Sequence, residues 1–361
     1  MDCGFPGPHS GPMETFESLV RAEFAPKNTY LNTASTGLPP RRTVAALRTA
    51  VEAAAAGQPT DMFADVEAAR ASFARLTGVP ARRVAAGASV AVYSGLIAAS
   101  LPAGAEVVTA EGDFSSVVNP FHVRGDLKVR GVPLERVAEA VRPGTALVAV
   151  SAAQSADGRV ADLPAITAAA REHGARTYVD ASQAAGWLDL DADAYDYVSA
   201  VGFKWLLCPR GVAFLTVPDD LGDLRPLFAG WVAGERPWDS CYGPVEELAH
   251  SARRFDESPA LFSYAGARRS LELLEELGPD AVRAHDLALA DRFRAGLTAL
   301  GHQSVPAPGS PIVSVPGLGH RQGGLSEAGI EVSDRAGCLR AAFHLYNTSA
   351  DVDRLLDVLA G

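Results

Sequence analysis

The chain has 361 residues, of which 48% are hydrophobic and 21% are charged, and its formal net charge is −11. The apolar content excludes an intrinsically disordered chain, and the negative balance argues against broad binding to a nucleic-acid backbone. The four cysteines stand far apart, and the eight histidines are dispersed without the spacing of metal ligands. We therefore expect neither a disulfide framework nor a metal site.

The first hundred residues are expected to contain a tail and four helices, with neither a targeting signal nor a membrane span. Residues 1–13 lack a basic region followed by an apolar run, so we expect a disordered tail without a targeting signal. The longest uncharged stretch, 84–105, is interrupted by Gly, Ser and Pro, which argues against a membrane span. Together with the separated cysteines, this predicts a cytoplasmic protein. Helices are expected at 13–24, 40–56, 61–76 and 89–100.

The middle of the chain alternates short apolar strands with helices. Helices are expected at 134–140 and 163–173. Strands are expected at 106–110, 127–132, 146–151, 176–179, 197–200 and 212–217. This alternation predicts an α/β fold, with a mostly parallel sheet covered by helices on both faces.

The pattern changes after about residue 220. An irregular segment, 221–258, precedes two long helices that are expected at 263–276 and 279–300. A strand, a helix, a strand and a helix then follow at 312–315, 324–328, 339–343 and 350–359. We therefore predict a large cofactor-binding domain at 14–240 and a smaller α+β C-terminal domain at 241–361, which includes the two long helices as a bridge.

Three positions follow predicted strands, where ligands bind in open parallel sheets. Asp180 ends an apolar strand, although a plain N-cap is the alternative. Lys204 is a lone lysine among apolar residues, where desolvation lowers the pKa of an amine and favours nucleophilic attack on carbonyls; the alternative is a lysine that extends to the surface. Ser89, with Ala88 and Val90, opens a helix whose N-terminus suits a phosphate, or it is an ordinary cap.

Taken together, the three positions match the needs of one cofactor. An amine for a Schiff base, a carboxylate for a pyridinium nitrogen and a helix N-terminus for a phosphate are what pyridoxal 5'-phosphate requires. A metal-dependent hydrolase lacks suitably spaced ligands in this sequence, and a nucleotide-binding role lacks the glycine-rich fingerprints.

Four segments make the chain resemble a known family. From about residue 30 to 359 it is similar to the fold type I pyridoxal phosphate enzymes of the class V aminotransferase and cysteine desulfurase superfamily. The segments that carry the resemblance are Tyr30 to Ser35, Asp180 to Ala184, Phe203-Lys204-Trp205 with Pro209-Arg210-Gly211, and Leu339-Arg340 to Asp353.

The resemblance implies roles for residues around the cofactor. Lys204 would form the Schiff base and then act as base for the substrate α-proton, and Asp180 would pair with the ring nitrogen. Gln183 would reach the phenolic oxygen of the ring, with Gln154 or Ser155 near the same side. Phe114 would stack on the ring.

The resemblance also implies substrate and partner contacts. Arg340 would hold the substrate α-carboxylate, since a guanidinium fork suits a carboxylate. Asn32 and Ala34 lie in the N-terminal loop of the site. Ser258 lies in a loop that would donate a phosphate contact to a neighbouring subunit, which implies a homodimer with shared active sites. We expect residues 228–245 to line part of the substrate pocket.

Two departures weigh against a cysteine desulfurase. Phe114 stands where those enzymes carry a histidine. Cys338 lies only two residues before Arg340 and is expected to be a strand residue, whereas those enzymes carry a cysteine in a mobile loop. We therefore expect an enzyme that acts on an α-amino acid through an external aldimine, by aminotransferase or C–S lyase chemistry. An amino-acid epimerase or racemase of the same family, and a catalytically silent binding protein, remain as alternatives.

Overall fold

The computed structural model describes residues 16–59, 61 and 63–361, so the expected tail, 1–13, lies outside the described residues. The helices are α1 Phe16–Glu23, α2 Arg41–Ala55, α3 Ala64–Leu76, α4 Val90–Ser100, α5 Ser115–Val123, α6 Val137–Ala140, α7 Leu163–His173, α8 Leu261–Leu277, α9 Pro279–Ala299, α10 Gln322–Glu327 and α11 Ser349–Ala360. The strands are β1 Thr29–Tyr30, β2 Val84–Gly87, β3 Glu106–Ala110, β4 Lys128–Val132, β5 Thr145–Ser151, β6 Arg176–Asp180, β7 Tyr197–Val201, β8 Ala213–Thr216, β9 Ile312–Pro316, β10 Ile330–Glu331, β11 Ser333–Arg335 and β12 Cys338–Ala342.

The main sheet has seven strands in the order β2-β8-β7-β6-β5-β3-β4. Strand β8 runs antiparallel to both of its neighbours, and the remaining pairs are parallel. Alternate residues of β5 enter different apolar clusters: Val148 and Val150 pack in one, and Leu147 and Ala149 in the other. Both faces of the sheet are therefore covered, which confirms the predicted α/β fold with a mostly parallel sheet.

The C-terminal part of the chain builds two small sheets. Strands β11, β12 and β9 form an antiparallel sheet, and β1 pairs in parallel with β10. A third apolar cluster joins these strands to α9 and α11. Helix α11 begins with a capping box in which Thr348 and Asp351 bond each other's backbone N–H groups. The smaller α+β unit is thus present in the described structure.

The division between the two units stays a prediction. Helix α8 and the turn at Ala252–Phe255 contribute apolar residues to the clusters of the main sheet, although both follow residue 240. Helix α5 has no counterpart in the sequence-based assignment because Pro120 lies inside it and masks its periodicity. None of the described helices is long and apolar enough to cross a membrane.

Candidate active site

Five strands of the main sheet end at the same edge, and chemically active residues follow them. Ser89 comes after β2, Phe114 after β3 and Ser155 after β5; Asp180 ends β6, and Lys204 follows β7. All five residues line one cavity of about 510 Å³. The carboxyl ends of parallel strands thus form the candidate active site, as is usual for open α/β sheets.

Lys204 is held inside this cavity. It is only 6% exposed, and its Nζ lies 4.9 Å from the centre of the Phe114 ring. Within the described chain the amine makes no hydrogen bond or salt bridge. Burial lowers the pKa of Lys204 to about 8, a shift that Asp180 opposes and that neighbouring arginines increase. The neutral, nucleophilic form of the amine is therefore accessible near physiological pH.

Asp180 is a second buried ionisable group in the cavity. It is 4% exposed, and its Oδ1 accepts hydrogen bonds from the Ser182 N–H at 2.9 Å and the Ser182 hydroxyl at 2.6 Å. Burial raises the pKa of Asp180 to about 6, while the Ser182 bonds and Lys204 act in the opposite direction. No hydrogen bond reaches its other oxygen, Oδ2, from the described residues, so that oxygen can accept one from a ligand.

The cavity also offers an aromatic face and a helix N-terminus. Phe114, at the N-cap of α5, is 44% exposed, so its ring is accessible to a ligand in the cavity. Ser89 caps α4 by accepting a bond from the Val92 N–H at 3.4 Å. The preceding Ala88 N–H donates to Glu257 Oε2 at 3.0 Å, so a carboxylate of this chain already meets the start of α4.

Three arginines and a serine form what we call the arginine wall: Ser35, Arg210, Arg335 and Arg340. Arg340 is 1% exposed and donates from Nη2 to Ser35 Oγ at 2.8 Å, from Nε to Ser333 Oγ at 3.2 Å and from Nη1 to the Ser155 carbonyl. Burial, reinforced by Arg335, lowers the pKa of Arg340 to about 9, which leaves it charged at neutral pH.

The other two arginines of the wall line the cavity directly, as does Ser35. Arg335 Nη2 donates to the same Ser35 hydroxyl at 3.0 Å. Arg210 Nη2 donates to Thr36 Oγ1 at 3.0 Å, and its guanidinium carbon lies 4.1 Å from the centre of the Phe203 ring. None of the three arginines forms a salt bridge with a described carboxylate, so their charges are available to a ligand.

A buried hydrogen-bond network supports the cavity from behind. The Gln183 amide donates to the Ala34 carbonyl at 2.8 Å and to Ser155 Oγ at 2.9 Å, and its oxygen accepts from Trp205 Nε1 at 2.8 Å. Both N–H groups of the Gln183 side chain are thus already engaged, and the residue does not line the cavity.

The network continues to the C-terminal part of the chain. The Trp205 carbonyl lies 3.0 Å from His344 Nε2, and His344 Nδ1 lies 2.8 Å from Asp286 Oδ2. His344 and Asp286 are fully buried, and burial raises the pKa of Asp286. The residue after Lys204 is therefore fixed to α9 by a buried polar pair.

The cavity brings together some of the residues expected from the sequence and leaves others away from it. Arg340 and Gln183 contact its lining from behind. Asn32, Ala88, Gln154 and Ser258 do not line it; Asn32 Oδ1 is buried without a partner in the described structure, and Ser258 is exposed. The expected residues that line the cavity are Lys204, Asp180, Ser89, Val90, Phe114, Ala34 and Ser155, the alternative to Gln154.

Residues 228–245, which we expect to line part of the substrate pocket, do not line this cavity within the single described chain, so that role stays a prediction. Trp231 and Trp238 pack against each other and against Phe63 instead, with ring centres 5.1 to 6.0 Å apart. Ser35, Thr36 and Arg335 line the cavity without having been assigned a role from the sequence. For Arg210, the one feature of the sequence that pointed to the site was its place in the Pro209-Arg210-Gly211 segment after Lys204.

The donor set fits pyridoxal 5'-phosphate. An unpaired amine suits the aldehyde, the free oxygen of a buried carboxylate suits the ring nitrogen, and the exposed Phe114 ring offers a stacking face. Lys204, Asp180, Phe114 and Ser89 would hold the cofactor. The departure from this fit is Glu257, whose carboxylate occupies an N–H group at the helix end that suits a phosphate.

Comparisons with known proteins agree with this fit. Residues 29–355 match the family model for class V aminotransferases. An uncharacterized aminotransferase of Bacillus subtilis, YcbU, is 30% identical over 270 residues, which span 70% of this chain and 71% of the relative. Isopenicillin N epimerase of Streptomyces clavuligerus is 30% identical over 261 residues, or 63% of each chain.

Solved structures show the same fold. The cystine C–S lyase C-DES, solved with its reaction product cysteine persulfide, superposes with a TM-score of 0.84 at 24% identity and covers 92% of this chain and 97% of its own. The family match covers most of the chain and includes every segment of the candidate active site. The chain therefore belongs to the class V aminotransferase family, whose enzymes use pyridoxal phosphate.

Proposed function

We propose that this chain acts on an α-amino acid by aminotransferase or C–S lyase chemistry, with Lys204 as the residue that binds the cofactor and moves the α-proton. One observation carries the proposal: the Lys204 amine is buried and unpaired in a cavity that also holds the Asp180 carboxylate, and its pKa is about 8. Such an amine serves as nucleophile and, once released, as general base.

Pyridoxal phosphate, when bound, supplies an electron sink that stabilises negative charge at the substrate α-carbon. Asp180, whose Oδ2 has no hydrogen bond from the described residues, would keep the pyridine nitrogen of the bound cofactor protonated. Arg340 orients the substrate by binding its carboxylate, for which it would exchange its bonds to Ser35 and Ser155. Lys204 takes the α-proton on Nζ and returns it to another carbon or to solvent.

The first experiment is the visible absorption spectrum of the purified protein with pyridoxal phosphate, before and after borohydride. A yellow band that borohydride removes, with the label mapped to Lys204 by mass spectrometry, is expected. Lys204→Ala should lose the band and the turnover, whereas Lys128→Ala, at an exposed edge strand, should keep both. A protein that stays colourless with added cofactor would leave only a binding role.

Product analysis separates the two reactions. Equimolar conversion of a 2-oxo acid into an amino acid identifies an aminotransferase. Release of a keto acid with ammonia from a sulfur-containing amino acid identifies a C–S lyase. The relatives named isopenicillin N epimerase favour a third outcome, inversion at the α-carbon. Chiral chromatography after incubation in D₂O, with deuterium at Cα and no keto acid, would identify an epimerase.

We also propose a homodimer in the cytoplasm. Ser258 is exposed and lies outside its own cavity, which supports a contact with a neighbouring subunit. Large apolar side chains are exposed at Leu227, Phe228 and Trp238. The described cysteines are free, as in a reducing compartment. Sedimentation equilibrium should give twice the chain mass, and a monomer with full activity would contradict the shared site.

A further inference from the structure

The arginine wall brings three guanidinium groups to the cavity, and an amino acid with one carboxylate would engage one of them. Lys204, Arg210 and Arg335 line the cavity, and Arg340 reaches two of its serines. Asp180 is the acidic residue among the lining groups, and it is close enough to Lys204 to influence the pKa of the amine. The arginines have no such partner among the described carboxylates.

The position of the arginines relative to one another indicates where the anions bind. Arg335 and Arg340 both donate to Ser35 Oγ, at 3.0 and 2.8 Å, so the two guanidinium groups lie on either side of one hydroxyl. Arg210 donates to the next residue, Thr36, and stacks on the residue before Lys204. All three also lower the pKa of Lys204, which is consistent with their facing the same space.

One guanidinium suffices for the substrate α-carboxylate because its fork can hold both oxygens. Arg340 is the buried member and fits this role. Arg335 and Arg210 come from separate segments, the β11–β12 hairpin and the loop after Lys204, and each is held towards the cavity by a hydroxyl. Neither hydroxyl carries charge, so the two arginines remain without a counter-ion.

We infer that the substrate is a dicarboxylic α-amino acid, whose second carboxylate binds between Arg335 and Arg210 while Arg340 holds the first. This inference rests on the proposed function, since it assigns the α-carboxylate to Arg340 in an active site built on Lys204. Arg335 and Arg210 are exposed as well as lining the cavity, so water solvates them in the free protein, and the second carboxylate supplies their charged partner in the complex.

The test compares pairs of ligands that have the same shape and differ in one charge. Binding of L-glutamate against L-glutamine, and of L-aspartate against L-asparagine, is followed in the holoenzyme by the change in the cofactor absorption band. We expect the better dicarboxylic acid to bind at least about tenfold more tightly than its amide, the value of one charge-assisted hydrogen bond.

Calorimetry with ligands that lack the amino group tests the same arginines without any chemistry at the cofactor. Glutarate is compared with its monoamide. Arg335→Gln and Arg210→Gln should each reduce the preference for the diacid by about tenfold or more and leave cofactor content unchanged. Arg136→Gln, at an exposed arginine that pairs with Glu139, should keep the full preference.

The possible failures are distinguishable. A holoenzyme that binds acid and amide equally, or arginine variants that keep the preference, would overturn the inference and leave the proposed function standing. Arginine variants that lose the cofactor would assign these side chains to its phosphate and would also overturn the inference. A protein without a borohydride-sensitive band would overturn the proposed function, and the calorimetry with glutarate would still decide whether the diacid site exists.

Discussion

Arg70 and Arg340 are the two most deeply buried arginines among the described residues, and they lie in opposite environments. Arg70 on α3 is 3% exposed and meets Asp256 with two bonds, of 2.6 and 3.2 Å. Although burial lowers it, Asp256 and Glu67 raise the pKa of Arg70 above its ordinary value. Arg340 is 1% exposed and meets hydroxyls and a carbonyl, and burial lowers its pKa.

The difference separates a structural charge from a functional one. Burying a guanidinium without a counter-ion costs several kcal/mol, so a chain retains one where an anion arrives from outside. Asp256 neutralises the charge of Arg70. It also accepts a hydrogen bond from the Ala86 N–H at 2.8 Å, which fixes the turn at Ala252–Phe255 against β2. No carboxylate of the described chain pairs with Arg340, and we expect the carboxylate of the substrate to take that place.

The largest expected effect comes from breaking the structural pair. Asp256→Asn leaves Arg70 buried beside a neutral amide and should lower the free energy of unfolding by about 3–5 kcal/mol. Urea denaturation monitored by tryptophan fluorescence measures it. Asp219→Asn, in the exposed pair with Arg82, is the matched control and should change stability little. Equal losses in both variants would remove the distinction between the pairs.

The functional arginine should behave in the opposite way. Arg340→Gln should weaken binding of the amino acid by about 10- to 100-fold because a charge-assisted bond of roughly 1.5–3 kcal/mol is lost. Its free energy of unfolding should not fall, since no carboxylate is left unpaired. Spectroscopic titration and urea denaturation of the same preparation give both values. A loss of stability as large as that of Asp256→Asn would make Arg340 structural.

The charges of the unpaired arginines should also affect how the rate of cofactor binding to Lys204 depends on pH. The aldehyde reacts with the neutral amine, and the pKa of Lys204 is lowered to about 8. The loading rate of the apoprotein should therefore rise about tenfold per pH unit below 8 and level off above it, whereas an ordinary lysine would continue to higher pH. Stopped-flow absorbance measures this rate.

Two variants sharpen this measurement. Arg335→Gln removes a like charge, so the midpoint should move to higher pH. Asp180→Asn removes an opposite charge, so the midpoint should move to lower pH. Shifts in the same direction for both variants would show that charge does not set the reactivity of Lys204.

The smallest expected effect concerns Glu257, whose carboxylate already accepts the Ala88 N–H at the helix end that suits the cofactor phosphate. Glu257→Gln removes the negative charge from the Ala88 N–H at the start of α4. The affinity for pyridoxal phosphate should rise by a factor of about 2–5, the range of a charge near a helix end. Fluorescence titration of the apoprotein measures it, with the exposed Glu139→Gln as control. Weaker binding would mean that Glu257 supports the phosphate site.

The sequence could predict the strand ends but not the arginine wall. Lys204 and Asp180 were predictable because each follows a local run of apolar residues that forms a buried strand. Ser35 and Arg335 are 300 residues apart and meet only when β1, β10 and the small sheet are assembled. Gln154 and Ser155 are adjacent, and which of them faces the cavity depends on the turn closed by the Gln154 N–H and the Arg159 carbonyl.

Gly37 joins the two sides of the cavity through the main chain. Its N–H donates to the Phe203 carbonyl at 2.9 Å, and a Cβ at this position would lie 2.1 Å from the Lys204 carbonyl oxygen. The loop that carries Ser35 and the loop that carries Lys204 are therefore spaced by backbone contact rather than by adjustable side chains. Because this spacing is fixed, the distance between the two proposed carboxylate sites should be fixed as well. The enzyme should therefore discriminate between diacids that differ by a single methylene.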